Sequence, residues 1–324
     1  MDDAYLGIDI SKSNFHAALL EGEKSHGKSF PNNPKGFEQL DMWLKNRKID
    51  VVYACMESTG PYAEALATHI ADRGHKVSIV NPARVKGFAR GELLRTKTDA
   101  VDAALIARFC KAMQPDRWLP PAPEIRELQG LVRRLESLKQ TRQQECNRAE
   151  MPGVVAPVAQ SIAAHVAHLD DQIEALEKEI RSHIDRHPGL RQQRDLLITI
   201  PGIGEKTIAT VLSELPDVEH FQSAKEVAAY AGLSVHHHVS GTSIHRKSRL
   251  SKCGNPRLRN ALFYPAMVAM RYNPIVLAFA QHLAAAKKRK MVIVGAAMRK
   301  LLHIVFGVLK SGKPFNPHHQ PATA

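Results

Sequence analysis

The chain has 324 residues, 44% of them hydrophobic, enough for a buried core and more than one domain. Its four cysteines, Cys55, Cys110, Cys146 and Cys253, are scattered without a C-x-x-C pair, which argues against a disulfide framework or a thiolate zinc site and predicts buried free thiols. The net charge is +13; Asp2 and Asp3 interrupt any leader-like opening and no apolar run approaches the roughly 20 residues of a membrane span, so the sequence predicts a soluble, cytoplasmic protein with no membrane partner.

The opening alternates like a small α/β unit. Residues 4–10 (AYLGIDI), 14–22 (NFHAALLEG) and 26–30 (HGKSF) predict three short strands with turn signals between them. A helix is predicted over 33–48, and a buried strand over the apolar run 50–58 (DVVYACMES). A helix over 59–74 has Pro61 near its start and Gly74 past its end. A strand follows over 76–82, then a helix over 98–113 with Thr98 as N-cap. Four prolines within 114–124 (QPDRWLPPAPE) mark a domain boundary. Beyond it lie two long helical stretches. The first carries Leu128, Leu131, Leu135 and Leu138. The second carries Ile162, Val166, Leu169, Ile173, Leu176, Ile180 and Ile184, a heptad-like seam for most of its length. Residues 151–157 (MPGVVAP) separate the two, which predicts an antiparallel hairpin or a dimerising coiled coil. From about Leu190 the chain reads as mostly helical, with a short tail, NPHHQPATA.

The charge is unevenly placed. From Val227 to Ala324 there are 15 Lys or Arg and no Asp or Glu, so that segment carries about +15 and the front of the chain about −2. Such self-repulsion is costly without a polyanion to offset it, and nucleic acid is the first candidate. An anionic membrane surface is the weaker one, because the apolar runs there read as core helices.

Four acids in the front half bear on chemistry. Asp9 ends the first strand and Glu57 ends the apolar buried strand, where an acid is expensive without a partner. Asp99 and Asp102 stand at i and i+3 on one helix and share a face. Taken singly, the helix pair reads as acids favouring the helix dipole, and Asp9 as a turn residue. Taken together, four converging carboxylates need cations among them. Hard divalent ions with oxygen ligands, Mg²⁺ above all, meet that need and suit two-metal phosphoryl transfer.

Two further stretches point to phosphate. Residues 200–209 (IPGIGEKTIA) match a helix-hairpin-helix, in which Gly202 and Gly204 permit a tight turn, backbone N–H groups meet a phosphate, and Lys206 adds charge. The bland alternative is a Gly-rich turn between helices with no ligand. Residues 240–254 (SGTSIHRKSRLSKCG) mix five hydroxyls with four cations and no acid. Ser240, Thr242, Ser243, Ser248 and Ser251 lie among Arg246, Lys247, Arg249 and Lys252. Either the segment grips phosphates, or one hydroxyl is a nucleophile toward a phosphodiester. A nucleophile here must borrow its metal from the front half, in the same chain or another, and the residues alone do not choose among the five. His236, His237 and His238 alternate faces if they form a strand, so they read as polar surface and not as one metal site.

The motifs GIDISK, ESTG, TKTDAVDA, IPGIG, AGL, SGTS, SKCGNPRLRNALF and MRKLLHIVFGVLKSGKPF occur in the order found in transposases of the IS-one-ten type. The chain resembles these DEDD recombinases, and also the Piv-type DNA invertases, over nearly its whole length. The resemblance implies an N-terminal RuvC-like (RNase H-type) α/β domain over 1–120, a helical coiled coil over 121–189, and a mainly α transposase domain with a helix-hairpin-helix over 190–324. It places the metal tetrad on Asp9, Glu57, Asp99 and Asp102 and the catalytic serine on Ser240. It further implies assembly up to tetramers, with acids and serine from different subunits, and a structured non-coding bridge RNA that chooses donor and target DNA. The expected function is thus RNA-guided recombination through a covalent phosphoserine. The rivals are a junction-resolvase-type metal nuclease, in which water attacks, and a non-catalytic helix-hairpin-helix DNA-binding protein.

Overall fold

In the computed structural model, residues 4–22, 24–58, 61–92, 98–240 and 244–318 are described, with backbone only for 61 and 237–248. The chain divides into two units, Met1–Pro120 and Pro121–Ala324.

The first unit is built on a five-stranded sheet of order β3-β2-β1-β4-β5. Its strands are β1 (Ala4–Ile10), β2 (Asn14–Glu21), β3 (Lys24–Pro31), β4 (Val52–Glu57) and β5 (Lys76–Val80). β1 runs parallel to β4, and β4 to β5, while β2 and β3 are antiparallel additions. Period-two alternation sorts the central strands into two faces. Leu6, Ile8 and Ile10 join Val52, Ala54 and Met56 in a core under helices α1 (Pro34–Asn46) and α2 (Pro61–Asp72). Tyr5 and Cys55 face the other way, into a core with Leu105, Ile106, Phe109 and Cys110 of helix α4 (Asp99–Met113). Cys55 and Cys110 are buried as free thiols, whereas in the second unit Cys146 is half-buried and Cys253 exposed, against the expectation of buried thiols.

One glycine sets how close α4 comes. A Cβ on Gly7 would collide with the carbonyl oxygen of Ala103 and the amide nitrogen of Ala107. Backbone therefore lies on backbone, and no side chain fits between. The direction of α4 is fixed at its far end, where Gln114 Nε2 donates to the Tyr5 hydroxyl at 3.4 Å. The helix start is thus carried to the end of β1 where Asp9 lies.

One element departs from the sequence reading. The strand expected over 76–82 stops at Val80, and Pro82 opens helix α3 (Pro82–Gly91), capped by Asn81 accepting from the Ala83 N–H at 2.8 Å. Proline suits a first helical position because the N–H it lacks has no partner there.

In the second unit, α5 (Pro123–Ala149) and α6 (Ala156–Arg186) fold back on each other. Lys139 pairs with Glu177 at 2.8 Å and Arg142 with Asp170, a pairing in which one number rises as the other falls, so the helices are antiparallel. Leu128, Val132, Leu138, Leu169, Ile180 and Ile184 are buried between them or at their base. The base joins a helical core of α7 (Pro188–Leu197), α8 (Glu205–Glu214), α9 (Ala224–Tyr230), α10 (Pro256–Ala261), α11 (Phe263–Tyr272), α12 (Pro274–Ala285) and α13 (Lys290–Ser311).

Two sequence expectations need correction here. Helix α13, with 22 residues, is long and apolar enough by length and composition to cross a membrane, although no such run was expected. Arg299, Lys300 and His303 interrupt the run in sequence, yet Ile293, Ala297, Leu301, Leu302 and Val305 form a face buried in the helical core. The mostly helical reading from about Leu190 did not include a sheet, yet β6 (Val235–Ser240) and β7 (Ile244–Leu250) pair as an antiparallel hairpin. Thr242 and Ser243 lie outside the described residues, as does the end of the tail from 319.

The glycine at the start of this construction is the point of greatest leverage. Gly7→Val should lower stability by about 3 kcal/mol, the upper range for overpacking, since two backbones must separate. Chemical denaturation of the purified chain checks this; a midpoint unchanged from the parent would show that α4 does not lie where described.

Candidate active site

The four acids meet through the sheet's register. Tyr5 pairs with Tyr53 and Gly7 with Cys55 across β1 and β4, and Ile8 with Met56. Asp9 and Glu57 are the next residues along each strand, on the face shared by Gly7 and Cys55, which is the α4 face. Asp99 and Asp102 lie in the first turn of α4, behind Thr98, whose hydroxyl accepts from the Val101 N–H at 3.3 Å. The structure therefore brings all four to one corner, where two parallel strands end and a helix begins. The helix N-terminus favours carboxylates electrostatically, so the dipole reading of Asp99 and Asp102 and the functional one coexist.

The Asp9 carboxyl is half-buried and its pKa is raised, by desolvation first and then by the charges of Asp102 and Asp99, with His16 opposing. Among the described residues, no three His, Cys, Asp or Glu groups stand together as a finished metal cage. The carboxylates share a field and a face without closing on one point. Their chemistry, all-oxygen and anionic with one member held toward neutrality by burial and then by its acidic neighbours, fits a hard divalent cation.

Sequence reasoning missed His16. It lies on β2 directly opposite Asp9, and its Nε2 is 3.5 Å from Asp99 Oδ2. The turn sets this register: Ser11 Oγ donates to the Asn14 carbonyl at 2.7 Å, and counting outward from that contact pairs residue 9 with residue 16.

The phosphate-directed residues lie in the second unit. Residues 198–204 join α7 to α8 by a tight turn in which Gly202 has φ +101°. A Cβ there would come within 2.8 Å of the Ala269 Cβ on α11, so Gly202 has a packing reason to be glycine. Gly204 is the N-cap of α8, with open space around its α-carbon, and its carbonyl accepts from Thr207 and Ile208. Lys206 is 74% exposed and pairs with Glu177 at 3.2 Å.

Ser240 is the last residue of β6 and pairs with Ile244, so it stands beside the hairpin turn. Arg246 pairs with His238, and exposed Arg249 with His236, around a bulge between His236 and His238. Lys252 lies past β7 with φ +56°.

The base of this hairpin is tied down by groups that sequence reading passed over. Asn255 caps α10 through its Oδ1, its backbone N–H donates to the Tyr230 carbonyl at 2.7 Å, and its Nδ2 donates to Glu214 Oε2 at 2.9 Å. Glu214 is 4% exposed and also accepts from Arg133 Nε at 2.9 Å. Gly254, at φ +141°, lets the chain cross against Gly232. In sequence Glu214 reads as one acid at the end of an apolar helix, and only the fold shows three segments converging on it.

An acid corner on a mixed sheet, with a basic helical unit behind it in the chain, is consistent with a DEDD-type DNA-rearranging enzyme, and comparison with known proteins shows that class. Residues 6–151 match the DEDD-type transposase family, and residues 194–281 match the family described as Transposase IS116/IS110/IS902. The chain is 36% identical over 320 residues to a pilin gene-inverting protein of Moraxella bovis, covering 98% of each chain, and likewise 36% identical to its Moraxella lacunata counterpart. It is 25% identical over 345 residues to a transposase for insertion sequence element IS1328 of Yersinia enterocolitica, covering 96% of this chain and 98% of that one. The chain belongs to the IS110/IS116 family of transposases and recombinases, enzymes that rearrange DNA by phosphoryl transfer. The mixed sheet and the helical second unit are consistent with a RuvC-like DEDD transposase, and a domain of this type points to divalent metal use.

Carboxylate crowding at the corner has a measurable sign. With its folded pKa raised, Asp9 binds more proton in the native than in the unfolded state, so stability falls as pH rises from the ordinary carboxylate range through the raised value. Asp9→Asn should therefore melt higher than the parent at neutral pH in chelator, and the gap should close at pH below the ordinary carboxylate range. Added Mg²⁺ should raise the Tm of the parent and leave that of the variant nearly unchanged. A parent Tm at or above the variant's in chelator would remove the crowding.

Glu214 gives a second test. Glu214→Ala should cost about 3 kcal/mol in denaturant unfolding, because it leaves Arg133 and Asn255 facing a buried void. Glu214→Gln, which keeps the volume and part of the hydrogen bonding, should cost less. Equal and negligible losses in both would show that the base of the hairpin is held by packing alone.

Proposed function

We propose that the chain is an Mg²⁺-dependent DNA recombinase of an insertion sequence, acting through a covalent link between Ser240 and DNA. What supports this reading is the placement of Asp9 and Glu57 at neighbouring strand ends, with Asp99, Asp102 and His16 acting electrostatically on Asp9. Mg²⁺ held by these carboxylates would polarise the scissile phosphate and ease ionisation of the attacking hydroxyl.

In this reading, the Ser240 Oγ gives up its proton and bonds to phosphorus as one bond from phosphorus to a deoxyribose oxygen breaks. That oxygen leaves as a hydroxyl after taking a proton. Attack by a second strand's hydroxyl on the phosphoserine reverses the step and returns the serine, so no other energy source is needed. Arg246, Arg249 and Lys252, on and just past β7, would offset the charge that grows on the phosphate oxygens. The N–H groups at Gly202 and Gly204 and the ammonium of Lys206 would hold sugar-phosphate backbone away from the reacting bond. Lys206 is the exposed member of its pair, and Glu177 keeps Lys139 at 2.8 Å, so Lys206 could exchange Glu177 for a phosphate without leaving that carboxylate uncompensated.

The acid-free segment from Val227 supports a polyanionic partner. We assign donor and target DNA, and a structured non-coding RNA that selects them, with α5 and α6 serving as the coiled coil of a homo-oligomer of two to four chains at work on bacterial chromosomal DNA. Acids and serine belong to different units of the chain, which suits a composite site drawing each from a different subunit. A second reading, site-specific inversion of a chromosomal segment in place of self-mobilisation, is favoured by the higher identity to the pilin gene-inverting proteins than to the IS1328 transposase.

Ser240→Ala should abolish the covalent adduct with DNA and leave DNA binding nearly intact, since one hydroxyl is a small part of a cationic surface. Metal-dependent cleavage that persists in this variant would mean that water attacks. Asp9→Ala, Glu57→Ala, Asp99→Ala and Asp102→Ala should each abolish recombination in folded protein. Mixing Ser240→Ala chains with Asp9→Ala chains should restore some activity in a trans site, and a dead mixture with verified co-assembly would reject that arrangement. Substrates carrying inverted sites or element ends separate the two readings.

A further inference from the structure

Helix α11 (Phe263–Tyr272) shows two unlike faces. Ala266 and Ala269 are fully buried, the latter against Gly202 of the α7–α8 turn, and Asn273 just beyond donates to the Pro201 carbonyl at 3.4 Å. On the opposite side Tyr264, Val268, Arg271 and Tyr272 follow at i, i+4, i+7 and i+8, which places them on one stripe. Tyr264 is 71% exposed, Tyr272 69% and Val268 44%. Two tyrosines open to solvent on one helix face are costly for solubility unless they are covered in use.

We infer that this stripe is a stacking platform for unpaired bases of a single-stranded nucleic acid. The choice of occupant rests on charge and spacing. Arg271 stands in the stripe, and α11 lies in the 98-residue segment that has 15 Lys or Arg and no acid, a setting that attracts a polyanion and repels a second copy of itself. Tyr264 and Tyr272 are eight residues apart, about 12 Å along the helix, close to the rise of three or four stacked nucleotides at about 3.4 Å each. Tyr264 is braced by Phe263, edge to face with ring centroids 5.3 Å apart, so its ring is partly ordered before a base arrives. Aromatic rings interleaved with a guanidinium are what sequence-tolerant single-strand binding requires, because every base offers a π-face. The α7–α8 turn packs beneath the same helix, so one structural block would present a phosphate-reading turn and a base-stacking face. The inference rests on the proposed reading of the second unit as nucleic-acid-binding and adds where unpaired bases go.

The test uses the full-length chain, a short labelled single strand made as DNA and as RNA, and a duplex of the same length. Replacing both tyrosines (Tyr264→Ala with Tyr272→Ala) should weaken single-strand binding about five-fold or more for each residue, the lower bound for stacking on one base. Duplex binding should stay within two-fold of the parent, about the scatter of such assays, and the salt slope should not change, because no phosphate contact is lost. The pair Tyr264→Phe and Tyr272→Phe should bind like the parent. A larger loss on the DNA or on the RNA strand identifies the source of the bases. Parent-like single-strand binding by the alanine pair overturns the platform, as does an equal loss on duplex and single strand. A parent oligomer that the alanine pair dissolves also overturns it, in favour of a second copy on this face. If the parent binds neither single strand nor duplex, the nucleic-acid reading of the second unit fails; if it binds both and the alanine pair changes nothing, only the platform fails.

Discussion

The absence of a side chain at Gly7 decides where the chemistry of the first unit can lie. Because α4 rests backbone to backbone on β1, its first turn cannot drift along the strand or lift from it. The acids of that turn are thereby held above the strand end that carries Asp9. A longer side chain at residue 7 would leave the sheet and the helix individually sound and separate the carboxylates. The cost of crowding anions is met by the rest of the unit, whose two apolar cores clamp the sheet from both sides. That is the usual relation between a strained functional corner and a stable scaffold.

The second unit solves a different problem. A two-stranded hairpin has too little buried surface to hold itself in water. Here its base is locked by Asn255, Glu214 and Arg133, drawn from three segments, and by the crossing at Gly254. The same buried carboxylate thus joins α5 of the long helical hairpin to the helix that follows Ser240 and its cations.

Much of this was legible in the residues. Turn-bounded alternation identified β1 and an unbroken apolar run identified β4, and with them the placement of Asp9 and Glu57 at strand ends, because strands buried on both faces leave few places for an acid. The helix of Asp99 and Asp102 was legible from Thr98 and the i, i+3 spacing. His16 was not, since its role depends on strand register, which a turn of three or four residues can set in several ways. The hairpin of β6 and β7 was missed because its alternating residues are mostly His, Ser, Arg and Lys, with no apolar period to read. Helix α3 was hidden by Asn81-Pro82, a pair that ends strands and begins helices with equal ease. Glu214 gave no signal because its partners come from residues 81 positions before it and 41 after it.

The helices α5 and α6 form a strut of defined length and phase. At 1.5 Å per residue, the 27 residues of α5 extend about 40 Å, close to the length of twelve base pairs of duplex. The exposed Met151, Val155 and Val158 sit at its turn, so whatever meets them is met at that remove and on one azimuth. One residue inserted in each helix would turn the tip by about 100°, whereas seven in each would nearly restore its bearing while lengthening the reach by about 10 Å. Length changes along this arm among natural variants should therefore fall in whole heptads, because a ruler that also points cannot be cut at arbitrary marks.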